Sequence, residues 1–143
     1  MIKDYAGIFI IKVLDTDYTI YVDNNRDYLD KFNADAVTDE VAKTIHIYNI
    51  FLDVEDNEKS KEELFKREIR HEIIHAFIYE CGLSTNISEE EGWPASESMV
   101  DFWASQYYKI GKIFEDAYSI IKDLKKFSKQ RIKKLKKINN ENK

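Results

Sequence analysis

The spacing of apolar and polar positions divides the chain into a strand-like first third and a helix-like remainder. Residues 7–14, Gly-Ile-Phe-Ile-Ile-Lys-Val-Leu, form an almost unbroken apolar, β-prone run and predict a buried strand. Asp15-Thr16-Asp17 is turn chemistry, and residues 18–22 are a second β-rich run, so the two predict a hairpin. Asp23-Asn24-Asn25 breaks the pattern. A short helix is expected around residues 26–32, a polar loop over 34–42 and a third strand over 43–50. A charged loop follows over 53–59.

The period then lengthens to that of a helix. Ser60 followed by Glu63 has the form of a capping box, and Gly82 stands where a left-handed residue ends a helix, with Leu83 placed for the closing apolar contact. A helix over 61–81 is expected. After an acidic loop over 84–92, Trp93-Pro94 suits the first turn of a second helix, because proline has no N–H to leave unpaired there. Val100, Trp103, Ala104 and Tyr107 give it an apolar stripe to about Tyr108, with Gly111 as punctuation. A last helical stretch carries Ile113, Phe114, Ala117, Ile120, Ile121 and Leu124. The expected fold is α+β. A small three-stranded, partly antiparallel sheet packs beside the first helix, and a second helix and a C-terminal helix follow. Residues 1–112 form the minimal domain, and 113–143 are a C-terminal helix with a basic tail.

Composition adds bounds. At 143 residues, 43% of them apolar, the chain can bury one domain's core. A single cysteine, Cys81, excludes an internal disulfide and suits a reducing compartment. No apolar run reaches membrane-span length, and Met1-Ile2-Lys3-Asp4-Tyr5 lacks the build of a signal peptide. A cytoplasmic protein that makes no membrane contact is expected. The net charge of −5 conceals an asymmetry: residues 125–143 hold nine Lys and Arg against one acid, Glu141, for +8, leaving −13 on the rest.

The chemistry concentrates in Arg70-His71-Glu72-Ile73-Ile74-His75-Ala76-Phe77, a HExxH motif inside the first helix. With about 3.6 residues per turn, His71 and His75 stack on one face, where one zinc ion can accept both imidazoles, and Glu72 flanks them as a base for a water the ion activates. Ile69, Ile73, Ile74, Phe77 and Ile78 surround the motif, so a buried helix is expected, and buried imidazoles and a buried carboxylate need partners. A metal supplies them. The bland alternative is a surface helix carrying these residues without chemistry.

Catalytic zinc takes three protein ligands. Cys81 lies ten residues past His71, about 15 Å along the axis, and is expected to be packed rather than ligating. Glu89, Glu90 and Glu91 sit on an acidic loop that would hold a ligand poorly. Glu97 and Asp101, four apart on one face of the second helix, fit better: Glu97 as third ligand, Asp101 accepting the outward N–H of a ligating histidine. An ordinary exposed acidic face is the competing explanation.

HExxH followed by Glu97-x-x-x-Asp101 resembles the gluzincin, or thermolysin-like, zinc peptidases. More narrowly, Glu97-Ser-Met-Val-Asp101-Phe-Trp103-Ala104 is similar to the E-x-x-A-N-x-F-A segment of ImmA/IrrE-type small metallopeptidases of bacteria and their mobile elements. The whole pattern over about residues 5–112 also resembles small phage-encoded HExxH proteins. It departs from these families in having Val100-Asp101 for Ala-Asn and no helix-turn-helix DNA-binding domain. The resemblance implies a zinc metallopeptidase acting on a protein or peptide, with His71, His75 and Glu97 on Zn²⁺ and Glu72 as general base. Tyr79, Tyr107, Tyr108 and His46 are candidates for stabilising the oxyanion, although His46, alternating with Ile45 and Ile47, also reads as an ordinary strand residue. The strand over 43–50 is a candidate for pairing with substrate backbone. Two rival readings are an inert zinc-bearing interaction module of phage or prophage origin and a nucleic-acid-associated protein using residues 125–143.

Overall fold

The structure, a computed structural model, describes residues 4–55, 57–83 and 97–141, the side chains of 97–105 and 141 excepted. The expected α+β class holds, with one more strand than the pattern suggested. Strands β1 (Tyr5–Val13), β2 (Thr16–Asp23), β3 (Ala36–Asp39) and β4 (Thr44–Tyr48) form a mixed sheet ordered β1-β2-β4-β3. β1 and β2 are an antiparallel hairpin, β2 and β4 run parallel, and β3 closes the far edge antiparallel to β4. β3 lies in the stretch expected to be loop. Four residues on an edge, Ala36-Val37-Thr38-Asp39, are too few for a period to stand out. The hairpin turn also falls earlier than expected. Val13 pairs Thr16 across a two-residue loop, Leu14-Asp15, in which Leu14 takes a left-handed φ of 54°.

Helix α1 (Glu58–Glu80) starts three residues before the expected boundary. Its cap is Asn57, whose side chain accepts the Ser60 N–H at 2.8 Å, so Ser60 serves as a backbone donor and not as the capping side chain. The other end is as read: Gly82 has φ +69°, its N–H reaches the Tyr79 carbonyl at 2.8 Å, and Cys81 N–H reaches that of Phe77 at 3.0 Å. Helix α2 (Glu97–Tyr118) runs straight through Gly111, correcting the expected stop there. The break comes at Ser119-Ile120, where Ser119 Oγ donates to the Asp116 carbonyl at 2.7 Å, before helix α3 (Ile121–Glu141). The start expected at Trp93-Pro94 lies outside the described residues.

Alternation on the strands puts Ile11, Val13, Tyr18, Ile20, Val22, Ile45 and Ile47 on one sheet face, all buried. Phe65, Ile69, Ile73, Ala76 and Phe77 of α1 and Ile110, Ile113 and Ala117 of α2 close the same core, joined by Ile121 and Leu124 of α3. The division placed at residue 112 therefore falls inside α2. The basic stretch continues as helix, exposed almost throughout from residue 129. Near its base Lys125 pairs with Glu62 and Arg131 with Asp4. Among the described residues no helix is long and apolar enough to cross a membrane.

Candidate metal and catalytic site

The motif helix lies across the sheet so that residues of one stripe enter the core while the next stripe stays open. Ile69, Ile73 and Phe77 face inward and are fully buried. His71 and His75, turned away from them, are exposed. This corrects the expectation of a helix buried all round: the imidazoles have solvent, so their burial supplies no argument for a metal. Their geometry supplies a better one. The two Nε2 atoms stand 3.0 Å apart, with ring centroids separated by 4.8 Å at 66°. Two nitrogens about 2.0–2.1 Å from one tetrahedral ion would stand roughly 3.3 Å apart, so the pair is within a few tenths of an ångström of chelating geometry. Two imidazole nitrogens at this separation suit zinc.

Glu72 is the buried member of the motif, only 5% exposed. Its Oε2 accepts a hydrogen bond from Thr38 Oγ1 at 2.6 Å, and the Glu72 backbone oxygen lies 3.1 Å from the same hydroxyl. Thr38 belongs to β3, the sheet edge against which α1 packs. The strand in turn is held by Asp39, whose Oδ1 accepts the Val41 and Ala42 N–H groups in the following turn. The partner of the buried carboxylate is thus a hydroxyl, and one carboxylate oxygen is fixed in place. Sequence reasoning missed Thr38 because it sat in the presumed loop; the β-branched pair Val37-Thr38 was the available signal.

The remaining candidates separate by position. Glu97 opens α2, a helix packed on α1, and Asp101 follows one turn later, but the side chains of both lie outside the described residues, as do Glu89, Glu90 and Glu91 entirely. Among the described residues no three His, Cys, Asp or Glu side chains form a metal-binding group. Cys81 packs half-buried against the core, as expected, and burial pushes its thiol pKa up; the nearby Glu80 charge adds to this and Lys109 opposes it. His46 projects from the sheet face opposite α1, tied to Asp23, which removes it from the oxyanion candidates. Tyr79 holds the Lys43 ammonium over its ring at 4.1 Å, and Tyr107 and Tyr108 are exposed on α2. The strand expected to bind substrate backbone, β4, is flanked on both sides by β2 and β3 and has no free edge; the free edge beside α1 is β3.

Comparison with protein-family models, curated proteins and solved structures finds no match to this chain.

Proposed function

We propose that this chain is a zinc-dependent metallopeptidase of the gluzincin type, hydrolysing peptide bonds in a protein or peptide substrate. The observation that carries the reading is the approach of His71 and His75 Nε2 to 3.0 Å on the open side of α1, with the intervening Glu72 carboxylate fixed from the sheet edge. His71, His75 and Glu97 would hold the ion, with Asp101 orienting one imidazole through its other nitrogen. Zinc bound there would polarise the scissile carbonyl and lower the pKa of a water towards about 7.

The chain's own residues account for the rest. Glu72 accepts the proton of the attacking water and delivers it to the leaving amine. Thr38 donates to one Glu72 oxygen, which fixes the carboxylate's rotamer and leaves the other oxygen for proton transfer. The free edge of β3 can pair with an extended substrate backbone, placing the peptide alongside the residue that orients the base.

The test is zinc content and hydrolysis of unstructured peptides, measured together. Wild type should hold close to one zinc per chain, and His71→Ala, His75→Ala and Glu97→Ala should lose metal and activity in parallel. Glu72→Gln keeps size and hydrogen bonding but accepts no proton, so zinc should stay while turnover falls about 10²–10⁴-fold. Full zinc in the histidine variants would remove the site. Zinc without turnover in wild type would favour the inert interaction module instead.

A further inference from the structure

On the sheet face away from α1 the alternation that fills the core projects a different set of side chains. Tyr21 and Asp23 leave β2 on that side, and His46 leaves β4 in register with Tyr21. The registered pair stacks, with ring centroids 4.8 Å apart and planes 15° from parallel. Tyr5 joins at one end, 5.0 Å from Tyr21, and Tyr28 at the other, 4.1 Å from His46. Tyr28 comes from the segment that crosses this face between β2 and β3 and immediately precedes the short 3-10 turn Leu29–Phe32. These four rings line a cavity of about 410 Å³ together with Asp23 and Asp27. That volume is within the usual range for a small-molecule site, roughly 300–1,000 Å³.

The polar groups give the cavity a sign. Asp23, 5% exposed, holds the His46 Nδ1 at 3.0 Å through Oδ2. Asp4, also in the lining, is matched by Arg131 and Asn24. Asp27 is exposed and forms no ion pair among the described residues. The lining's one ammonium, Lys31, already stands 5.8 Å from the centroid of the Tyr28 ring, so that ring takes a cation within the protein itself. The phenols of Tyr5 and Tyr28 have raised pKa values, from burial first and then from nearby carboxylates, Asp23 for Tyr5 and Asp39 and Asp23 for Tyr28. Aromatic rings beside carboxylates favour cations over anions.

We propose that this cavity is a binding site for an organic ammonium ion, separate from the metal site and on the opposite face of the sheet. The class fits the lining: the rings and Asp27 attract a diffuse positive charge, and alkyl groups around the nitrogen fill the apolar volume. The Asp23–His46 pair acts as a positioning element, because it fixes the imidazole plane on which Tyr21 and Tyr28 pack. The site is independent of the peptidase reading.

The test is titration of the full-length chain with choline and, separately, with its uncharged isostere 3,3-dimethylbutan-1-ol, followed by NMR and calorimetry. Choline should move the ring signals of Tyr21, Tyr28 and His46 saturably, and the neutral isostere should bind about tenfold more weakly or worse. Tyr28→Leu should weaken choline about fivefold or more, Tyr28→Phe should restore it, and Asp27→Asn should weaken it a fewfold and flatten its salt dependence. Asp27 is exposed, so its substitution keeps the test valid if Tyr28→Leu fails to fold. His71→Ala should leave choline binding unchanged. Equal affinity for the neutral isostere, absence of saturable binding, or wild-type affinity in Asp27→Asn would each overturn the assignment.

Discussion

Thr38 on the sheet edge and Glu72 on the motif helix share a 2.6 Å hydrogen bond, which joins the candidate base to the strand beside which a substrate would lie. A carboxylate gripped at one oxygen has a defined rotamer before substrate arrives. Preorganisation of this kind is where supporting residues contribute to rate. Thr38→Val keeps the β-branched shape and removes the donor. Peptide hydrolysis should fall about 10–100-fold, and zinc content should not change. Stability should drop by about 1–2 kcal/mol, since Glu72 stays buried with a partner missing. Unchanged turnover in a folded Thr38→Val protein would show that Thr38 does not position the base.

The cap of α1 makes a second prediction, because two neighbouring residues compete for the role. Asn57 offers its side-chain oxygen to the Ser60 N–H, whereas Ser60 contributes only its backbone. Asn57→Ala should cost about 1 kcal/mol, and Ser60→Ala should stay within about 0.5 kcal/mol. Urea unfolding of the two variants decides between them. Equal losses would restore the capping box that Ser60 and Glu63 suggest.

The residues that escaped the sequence pattern escaped for physical reasons. The two long strands and the motif helix were legible because each buries a full stripe, and Ile20, Ile45, Ile69 and Ile73 are all completely inaccessible. β3 was not, since an edge strand of four residues has no stripe long enough to count, and with it went Thr38. His71, Glu72 and His75 were legible as a motif, yet which of them is buried was not. Isoleucines flank all three, and only the packing of α1 on β3 sends Glu72 inward and both histidines out. The parallel pairing of β2 with β4 depends on contacts distant in sequence, and so does the interior place of β4.

Gly111 illustrates a local signal outweighed by tertiary packing. It lies inside α2, whose flanking residues Ile110 and Ile113 are buried in the common core, and a methyl group added there would meet no atom within 4 Å. Its cost is conformational freedom in the unfolded chain, with no close approach to compensate. Gly111→Ala should stabilise the protein by about 0.5–1 kcal/mol, raising Tm by roughly 2–4 °C. A lower Tm would mean that the helix needs the glycine for a reason other than space.

The final prediction concerns acid. Glu80, near the C-terminal end of α1, gathers three donors: Thr16 Oγ1 at 2.7 Å, Tyr18 Oη at 2.8 Å and the Lys43 ammonium. Burial alone would raise its pKa, but the hydrogen bonds from Lys43, Thr16 and Tyr18 and the Lys43 charge together hold it below the ordinary 4.5. A carboxylate whose folded pKa is depressed binds fewer protons in the native state than in the unfolded chain. Its contribution is therefore complete above the unfolded value, shrinks as pH falls below about 4.5, and is gone once pH passes the folded value. Tyr18 shifts the opposite way for the same reason, since burial and the neighbouring Glu80 keep its phenol protonated and donating. Glu80→Gln removes the charge, retains the amide oxygen as an acceptor, and should cost about 1–3 kcal/mol at pH 7. The loss should narrow steadily as wild type and variant are compared at lower pH, because protonation takes the same charge from the wild type. A difference in unfolding free energy that stays constant from pH 7 to pH 3 would show that Glu80 contributes through packing and not through its ionised form.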